Sequence, residues 1–470
     1  MATLTMPLPG HFSGPLALQH ALPLAATSRI SSGDTAWLLA ASALVLLMAP
    51  GLALFYGGMV RSKSVLNMMM MTFGALAAIL VLWVLVGYSL AFGDDVGAGL
   101  VGDPLQHVGL GSLLSPQADT WLSVPTILFA VFQGLFCVVT GALISGAIAD
   151  RARFGAWILF ISVWTLVVYA PVAHWVFDLS RPGHTGGWLA NRVGTIDFAG
   201  GMPVEITSGA SALALALVVG RRVGFGREPM RPHNLTLVML GAGLLWFGWY
   251  GFNAGSALRA DHTAAVVFAT TTCAGAAGSI GWLTLERVRD GHATTLGAAS
   301  GMVAGLVAIT PSGGSLSPGG ALVMGAVAGV VCALAVGLKY RWGYDDSLDV
   351  VGVHLVGGLI GTIGIGVLAT RAAPTGVDGL LHGGGFDQLG RQALGSVVVL
   401  VYAFVVSGVL AWVVDKVMAF RIDEEHEVNG IDLVVHAETA YDLHATVGAR
   451  SGSGINPPKA TSGPFAQQSG

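Results

Sequence analysis

The feature that most constrains this chain is a series of apolar segments, each about 20 residues long, that follow one another almost without interruption. Eleven can be marked, at 36–58, 66–92, 123–148, 154–177, 202–220, 235–255, 263–285, 292–310, 318–338, 348–370 and 393–419. Segments of this length cross a bilayer when helical. Lipid offers the backbone no hydrogen-bond partners, so they must be helices. The expected fold is an all-α polytopic membrane protein with eleven transmembrane helices. Composition agrees, because 10% charged residues cannot cover the surface of a soluble protein of 470 residues. The 68 glycines let helices approach closely in lipid. The net charge of −4 says little about partners, and nothing in the sequence suggests a nucleic-acid surface.

Residues 1–34 form an N-terminal extracytoplasmic segment, 35–420 the transmembrane domain, and 421–470 a tail. The N-terminus has no basic region ahead of an apolar stretch, so a cleaved signal peptide is not supported. The closing stretch "SGSGINPPKATSGPFAQQSG" reads as disordered. Cys137, Cys273 and Cys332 lie in apolar segments without CxxC spacing and read as small core residues, with no disulfide, metal or cofactor implied.

Lysine and arginine set the orientation. One set of loops and the last helix end carry Arg61, Lys63, Arg151, Arg153, Arg221, Arg222, Arg227, Arg231, Arg287, Arg289, Lys339, Arg341, Lys416 and Arg421. The other set carries Arg181, Arg192, Arg259, Arg371 and Arg391. The richer set faces the cytoplasm, which places the N-terminus outside and the tail inside.

An odd span count fits two five-helix repeats of inverted topology plus one added helix. The fifth span opens "DFAGGMPVE" and the tenth "DVVGVH"; each has an aspartate, then glycine, then a proton-active residue, Glu205 or His354. Inverted repeats would bring these two together near the midplane. An ionised carboxylate in a span costs roughly 2.5–3.5 kcal/mol, so Glu205 needs a partner or a function. A carboxylate and an imidazole in contact can share and pass a proton. Asp197 and Asp349 stand at helix starts, where an N-cap is the ordinary role. Asp197 has a second reading, as a buried anion whose field favours a nearby cation.

"FQGLF" places Phe132 and Phe136 four residues apart on one helix face, either as packing or as an aromatic gate with a cation–π surface. "GWYGFNAGSA" adds Trp249, Phe252 and Ser256. Serine in a span more often bonds its own backbone carbonyls; beside aromatic rings it could instead accept a hydrogen bond from a small donor.

"FYGGMVRSKSVLN", "GALISGAIADRARF", "IDFAGG", "RRVGFGREPMRPHNLTLVMLGAGLLWFGWYGFNAGSAL" and "DDSLDVVGVHLVGGLIGTIGIG", in this order between about residues 35 and 443, resemble the ammonium transporter (Amt/Mep/Rh) family. The resemblance implies a homotrimer with one pore through each eleven-helix subunit, in the cytoplasmic or inner membrane, and no enzymatic activity. Phe132 resembles the family's outer-vestibule aromatic, Phe136 and Phe252 its stacked gate, and Ser256 the serine that contacts ammonium. Asp197 resembles its buried aspartate, Trp249 a pore-lining residue, and His354 the second of two pore histidines. Glu205 stands where the first is expected, as in fungal Mep proteins. Phe177 occupies the place of the vestibule tryptophan, with Trp188 in the longer loop that follows as the alternative.

The resemblance implies a mechanism. Ammonium and potassium are alike in size and charge, and only ammonium can surrender a proton. An apolar pore rejects bare ions on desolvation cost and passes ammonia. Glu205 and His354 would then carry the proton. The tail "RIDEEHEVNGIDLVVHAETAYD" is similar to the family's regulatory tail, which works with PII-type signal proteins. It departs from that pattern at Ala437, where a glycine is common. Rival readings are a Rh-like ammonia or carbon dioxide channel, and an ammonium sensor acting through a separate partner.

Overall fold

A computed structural model describes residues 30–118 and 121–441. The expectations for residues 1–29 and for the end of the tail lie outside the described residues. Helices are numbered α1 (Ser32–Met59), α2 (Val65–Phe92), α3 (Thr126–Ile148), α4 (Phe154–Phe177), α5 (Gly201–Val219), α6 (Leu235–Gly255), α7 (His262–Asp290), α8 (Thr295–Ile309), α9 (Pro318–Trp342), α10 (Val351–Leu368) and α11 (Asp387–Met418). Among the described residues, ten of these are long and apolar enough to span a membrane, while α8 is a shorter apolar helix. The backbone beyond α8 continues as turns rather than helix, so this span is shorter than the 292–310 expected. Extended pairing among the described residues is confined to isolated bridges such as Ala152 with Arg421. The protein is an all-helical, multi-pass membrane protein.

Side-chain caps mark many helix starts. Asn234 accepts from the Leu237 amide at 3.0 Å, and Thr294 accepts from the Gly297 amide at 2.8 Å. Burial then ranks the helices. The most apolar windows of α3 and α5 are 89% and 83% buried, against 28% for α2 and α11. The bundle is therefore built around α3 and α5, with α2 and α11 on its periphery.

α5 and α10 repeat one local design. Each opens with a π-helical turn, Gly201–Ile206 and Val351–Leu355. Asp197 accepts from the amides of Gly200, Gly201 and Met202 at 2.7, 2.8 and 2.6 Å. Asp346 accepts from those of Val350 and Val351 at 3.1 and 2.7 Å. The capping residue of α10 is thus Asp346, which corrects the expectation for Asp349. Asp349 has φ +65 and pairs with Lys339 Nζ at 2.6 Å. In register, "DFAGGMPVEITSG" matches "DSLDVVGVHLVGG". The third residue after each capping aspartate, Gly200 or Asp349, has positive φ. Glycine adopts this freely, and aspartate is one of the few other residues that tolerate it.

The end of the bundle with the arginine-rich loops is locked by a buried ion network. Arg222 grips Asp345 with two contacts, 2.9 and 2.8 Å, and reaches Asp150 at 3.2 Å. Arg151, fully buried, donates to the carbonyls of Asp345 and Gly220. Burial alone would raise the Asp345 carboxyl, but its hydrogen bonds to Arg222 and the charge of Arg151 hold it below the usual carboxylate range. The lock is therefore present above the ordinary aspartate value near ~3.9 and weakens as acid protonates Asp345 below it. Asp345→Ala takes the paired carboxylate from the buried Arg222, leaving it Asp150 alone, and should cost about 3 kcal/mol, read as a lowered unfolding midpoint of the purified protein in detergent.

The tail docks on the same end. Asp432 accepts from the amides of Leu66 and Asn67 at 3.0 and 2.8 Å, capping α2. Lys63 donates to the Val428 carbonyl, and His436 Nε2 meets Asn67 Oδ1 at 3.0 Å. Glu427 accepts from the Val223 amide and from Arg421. Ala437 adopts φ +56, a left-handed turn that costs an alanine about 1–2 kcal/mol.

Candidate functional site

α5 and α10 cross face to face, and the crossing is as symmetric as their sequences. An ideal Cβ on Gly209 would lie 2.4 Å from the Leu355 amide nitrogen, and one on Gly358 would lie 2.7 Å from Glu205 Cβ. Each glycine stands four residues after the titratable residue of its own helix and touches the other helix beside its partner. The crossing brings together the residues that inverted repeats predict. His354 Nδ1 and Glu205 Oε2 are 2.7 Å apart, with the residues 4% and 1% exposed. The geometry requires one proton between them, since a neutral imidazole can donate Nδ1–H to a carboxylate or accept from a carboxylic acid.

The aromatic residues gather on three helices. Phe136 of α3 and Phe252 of α6 stack with centroids 3.8 Å apart and planes 13° from parallel. Phe132 tilts against Phe136 at 4.8 Å. Phe177, the last residue of α4, meets Phe136 edge-on at 6.4 Å. Trp188 stands apart, with its ring 6.1 Å from Trp175 and its amide bonded to the Gly99 carbonyl. Of the two candidates, Phe177 adjoins the stacked pair. An ideal Cβ on Gly200 would come within 3.4 Å of the Phe177 ring, so the aromatic group sits beside the start of α5.

Ser256 donates its hydroxyl to the Phe252 carbonyl at 2.8 Å. This is the self-bonding arrangement, and it has a consequence. The single hydroxyl proton is used, so the oxygen offers only lone pairs to anything further. Phe132 lies near, with its ring 3.2 Å from an ideal Cβ on Gly255. Trp249 donates its indole N–H to Thr310 Oγ1 at 2.8 Å. Thr310 has no counterpart in the sequence reading, because the contact joins helices that only the fold makes neighbours. Asp197 spends both carboxylate oxygens on three backbone amides, so its capping role is directly visible. Among the described residues no group of three or more His, Cys, Asp or Glu side chains could hold a metal ion, and the three cysteines are free.

Membrane-length helices, two of which share one local design and cross at a buried acid–imidazole pair beside stacked rings, define a class: polytopic membrane proteins of the transporter kind. Residues 36–441 match the model of the Ammonium Transporter Family, and the chain belongs to that family. It is 55% identical over 450 residues to a Mycobacterium tuberculosis protein named "Ammonium transporter", covering 91% of this chain and 93% of that one. The crystal structure of Saccharomyces cerevisiae Mep2 is similar, with a TM-score of 0.77, 36% identity, and coverage of 84% of this chain and 91% of that chain. So is a structure titled "Sensor Amt Protein", with a TM-score of 0.78, 28% identity, and coverage of 86% and 98%. Membership makes the chain a membrane transporter and not an enzyme.

Proposed function

We propose that the chain carries ammonium nitrogen across a cell membrane by binding the cation, removing its proton, and passing ammonia and the proton separately. The observation that carries this reading is the 2.7 Å contact between Glu205 and His354 in the core. Ionisable pairs inside membranes mark ion or proton paths, and the retained Phe132 and Ser256 argue against a Rh-like channel. Recruitment falls to the lone pairs of Ser256 and the rings of Phe132 and Phe177. The rings attract a cation, and the serine oxygen accepts the N–H that potassium lacks. Phenylalanine is a weaker cation–π partner than tryptophan, so Phe177 makes a modest vestibule. The stacked Phe136 and Phe252 then act as a gate that hydrated ions do not pass, with Trp249 lining the path beyond it.

In this reading all eleven helices cross the membrane, with α8 completing the set, and the five-plus-five repeat is inverted. The arginine-rich end faces the cytoplasm. The transmembrane domain is 35–420, the preceding segment is extracytoplasmic, and 421–470 is the regulatory tail. Subunits assemble as homotrimers in the cytoplasmic or inner membrane. The docked tail, which bonds α2 and the loop at Val223, is placed to take part in control by a PII-type signal protein.

The proposal predicts electrogenic transport. Purified protein in liposomes on a solid-supported membrane gives an inward current on an ammonium step, and none on an equal potassium step. Ammonia uptake without current would overturn the proton relay and favour a Rh-like ammonia or carbon dioxide channel.

A further inference from the structure

At the end opposite the arginine-rich loops, the segment 178–188, "DLSRPGHTGGW", folds back over the end of α4. Arg181 and His184 exchange backbone hydrogen bonds at 3.0 and 2.9 Å, and the Gly187 amide donates to the Asp178 carbonyl at 2.9 Å. The Asp95 amide donates to the Thr185 carbonyl at 3.2 Å, tying the loop to the segment after α2. The His184 side chain, 6% exposed, sits between two carboxylates. Its Nδ1 is 2.5 Å from Asp94 Oδ1, and its Nε2 is 2.8 Å from each oxygen of Asp178.

The charged and titratable groups facing this ring come from every side. Arg181 reaches Asp178 at 3.5 Å and lies 4.2 Å over the Trp121 ring. His174 is 3.4 Å from Asp178 and 3.5 Å from Asp95. Gln106 donates to the other oxygen of Asp94 at 3.1 Å, and His107 stands within electrostatic reach. Only an imidazolium can donate from both nitrogens; a neutral ring turns a lone pair toward one of the two carboxylates. The side with less support is Asp94, which is half-exposed, whereas Asp178 is buried and held by Arg181 and His174.

Asp178 directly follows Phe177, the ring that meets the stacked pair. We propose that His184 is a positioning residue for the pore mouth: as an imidazolium it clamps loop 178–188 to Asp94 and holds Phe177 in place, and on losing its proton it releases the Asp94 side. The importance of Phe177 rests on the function proposed above. The clamp itself does not, so the two can fail separately.

The test is amide hydrogen exchange of the full chain in lipid nanodiscs at pH 5.5 and 8.5, after correction for intrinsic exchange. In the wild-type protein the amides of Asp95, His184 and Gly187 should exchange roughly tenfold faster at the higher pH, the scale of one charge-assisted hydrogen bond. Asp94→Asn should abolish this difference, because an amide can turn either its oxygen or its nitrogen to the ring and so suits both protonation states. His184→Gln should abolish it as well. Equal protection of the wild type at both pH values, or a pH response that survives in either variant, overturns the clamp. In proteoliposomes, the wild-type KM for ammonium should rise between these pH values, and that of Asp94→Asn should not. Exchange that shifts while KM stays level overturns the link to Phe177.

Discussion

Glu205→Gln should leave the protein folded and lower the ammonium current roughly hundredfold, toward the lower end of what a positioned proton-transfer group contributes. Glutamine fits the same space and can still bond His354 Nδ1, which lies 2.7 Å from the carboxylate. What it cannot do is take up or release a proton. The glutamine variant therefore separates packing from proton transfer. Glu205→Ala removes both and leaves room for water beside His354, so a comparable loss of ammonium current is expected with an added potassium leak. Glu205→His keeps a proton carrier with different charge states, neutral or cationic in place of anionic or neutral, and should remain active with a displaced pH–rate profile. Currents for the three variants against external pH, at fixed total ammonium, decide the matter. A glutamine variant that runs at the wild-type rate would show that this side chain holds the helices together and carries no proton.

The second large effect is steric. Gly209→Ala places a Cβ 2.4 Å from the Leu355 nitrogen, and backbone cannot yield as a side chain can. Overpacking of this kind costs about 1–3 kcal/mol or more. Because Leu355 adjoins His354, the shift that relieves the clash also draws the imidazole from Glu205. Gly209→Ala should thus lower both thermal stability and current, and Gly358→Ala should do the same from the other side, where Glu205 Cβ lies 2.7 Å away. Gly408→Ala is the control: its nearest neighbour would be 3.7 Å away, an ordinary contact, and no change is expected. Normal stability and current in the Gly209 variant would mean that the helices cross farther apart than described.

The apolar periodicity of the sequence made the spans legible, and two proton-active residues in matching spans made the central pair legible. The register of the repeat was not. "DDSLD" offers three aspartates, and local sequence does not say which one caps the helix. The answer is tertiary: Lys339, from α9, takes Asp349, and Asp346 is left to accept from the amides. The choice between Phe177 and Trp188 was hidden for a similar reason, since it depends on where the loop folds and not on residue type. Ser256 showed that two readings posed as alternatives are compatible, because bonding its own backbone is what leaves the oxygen an acceptor. The Arg222–Asp345–Asp150 lock and the His184 clamp join residues far apart in the chain, and neither has a local motif that would announce it.

The cap on α2 has a consequence for biogenesis. Leu66 and Asn67 are among the first residues to enter the membrane, yet the carboxylate that receives their amides lies 366 and 365 positions later. While the ribosome is still elongating, one of the earliest hairpins must sit in the bilayer with that end unfinished, its donors served by water or lipid headgroups. Only the arrival of Asp432 closes it. A nascent chain stalled anywhere before Asp432 would display an open α2.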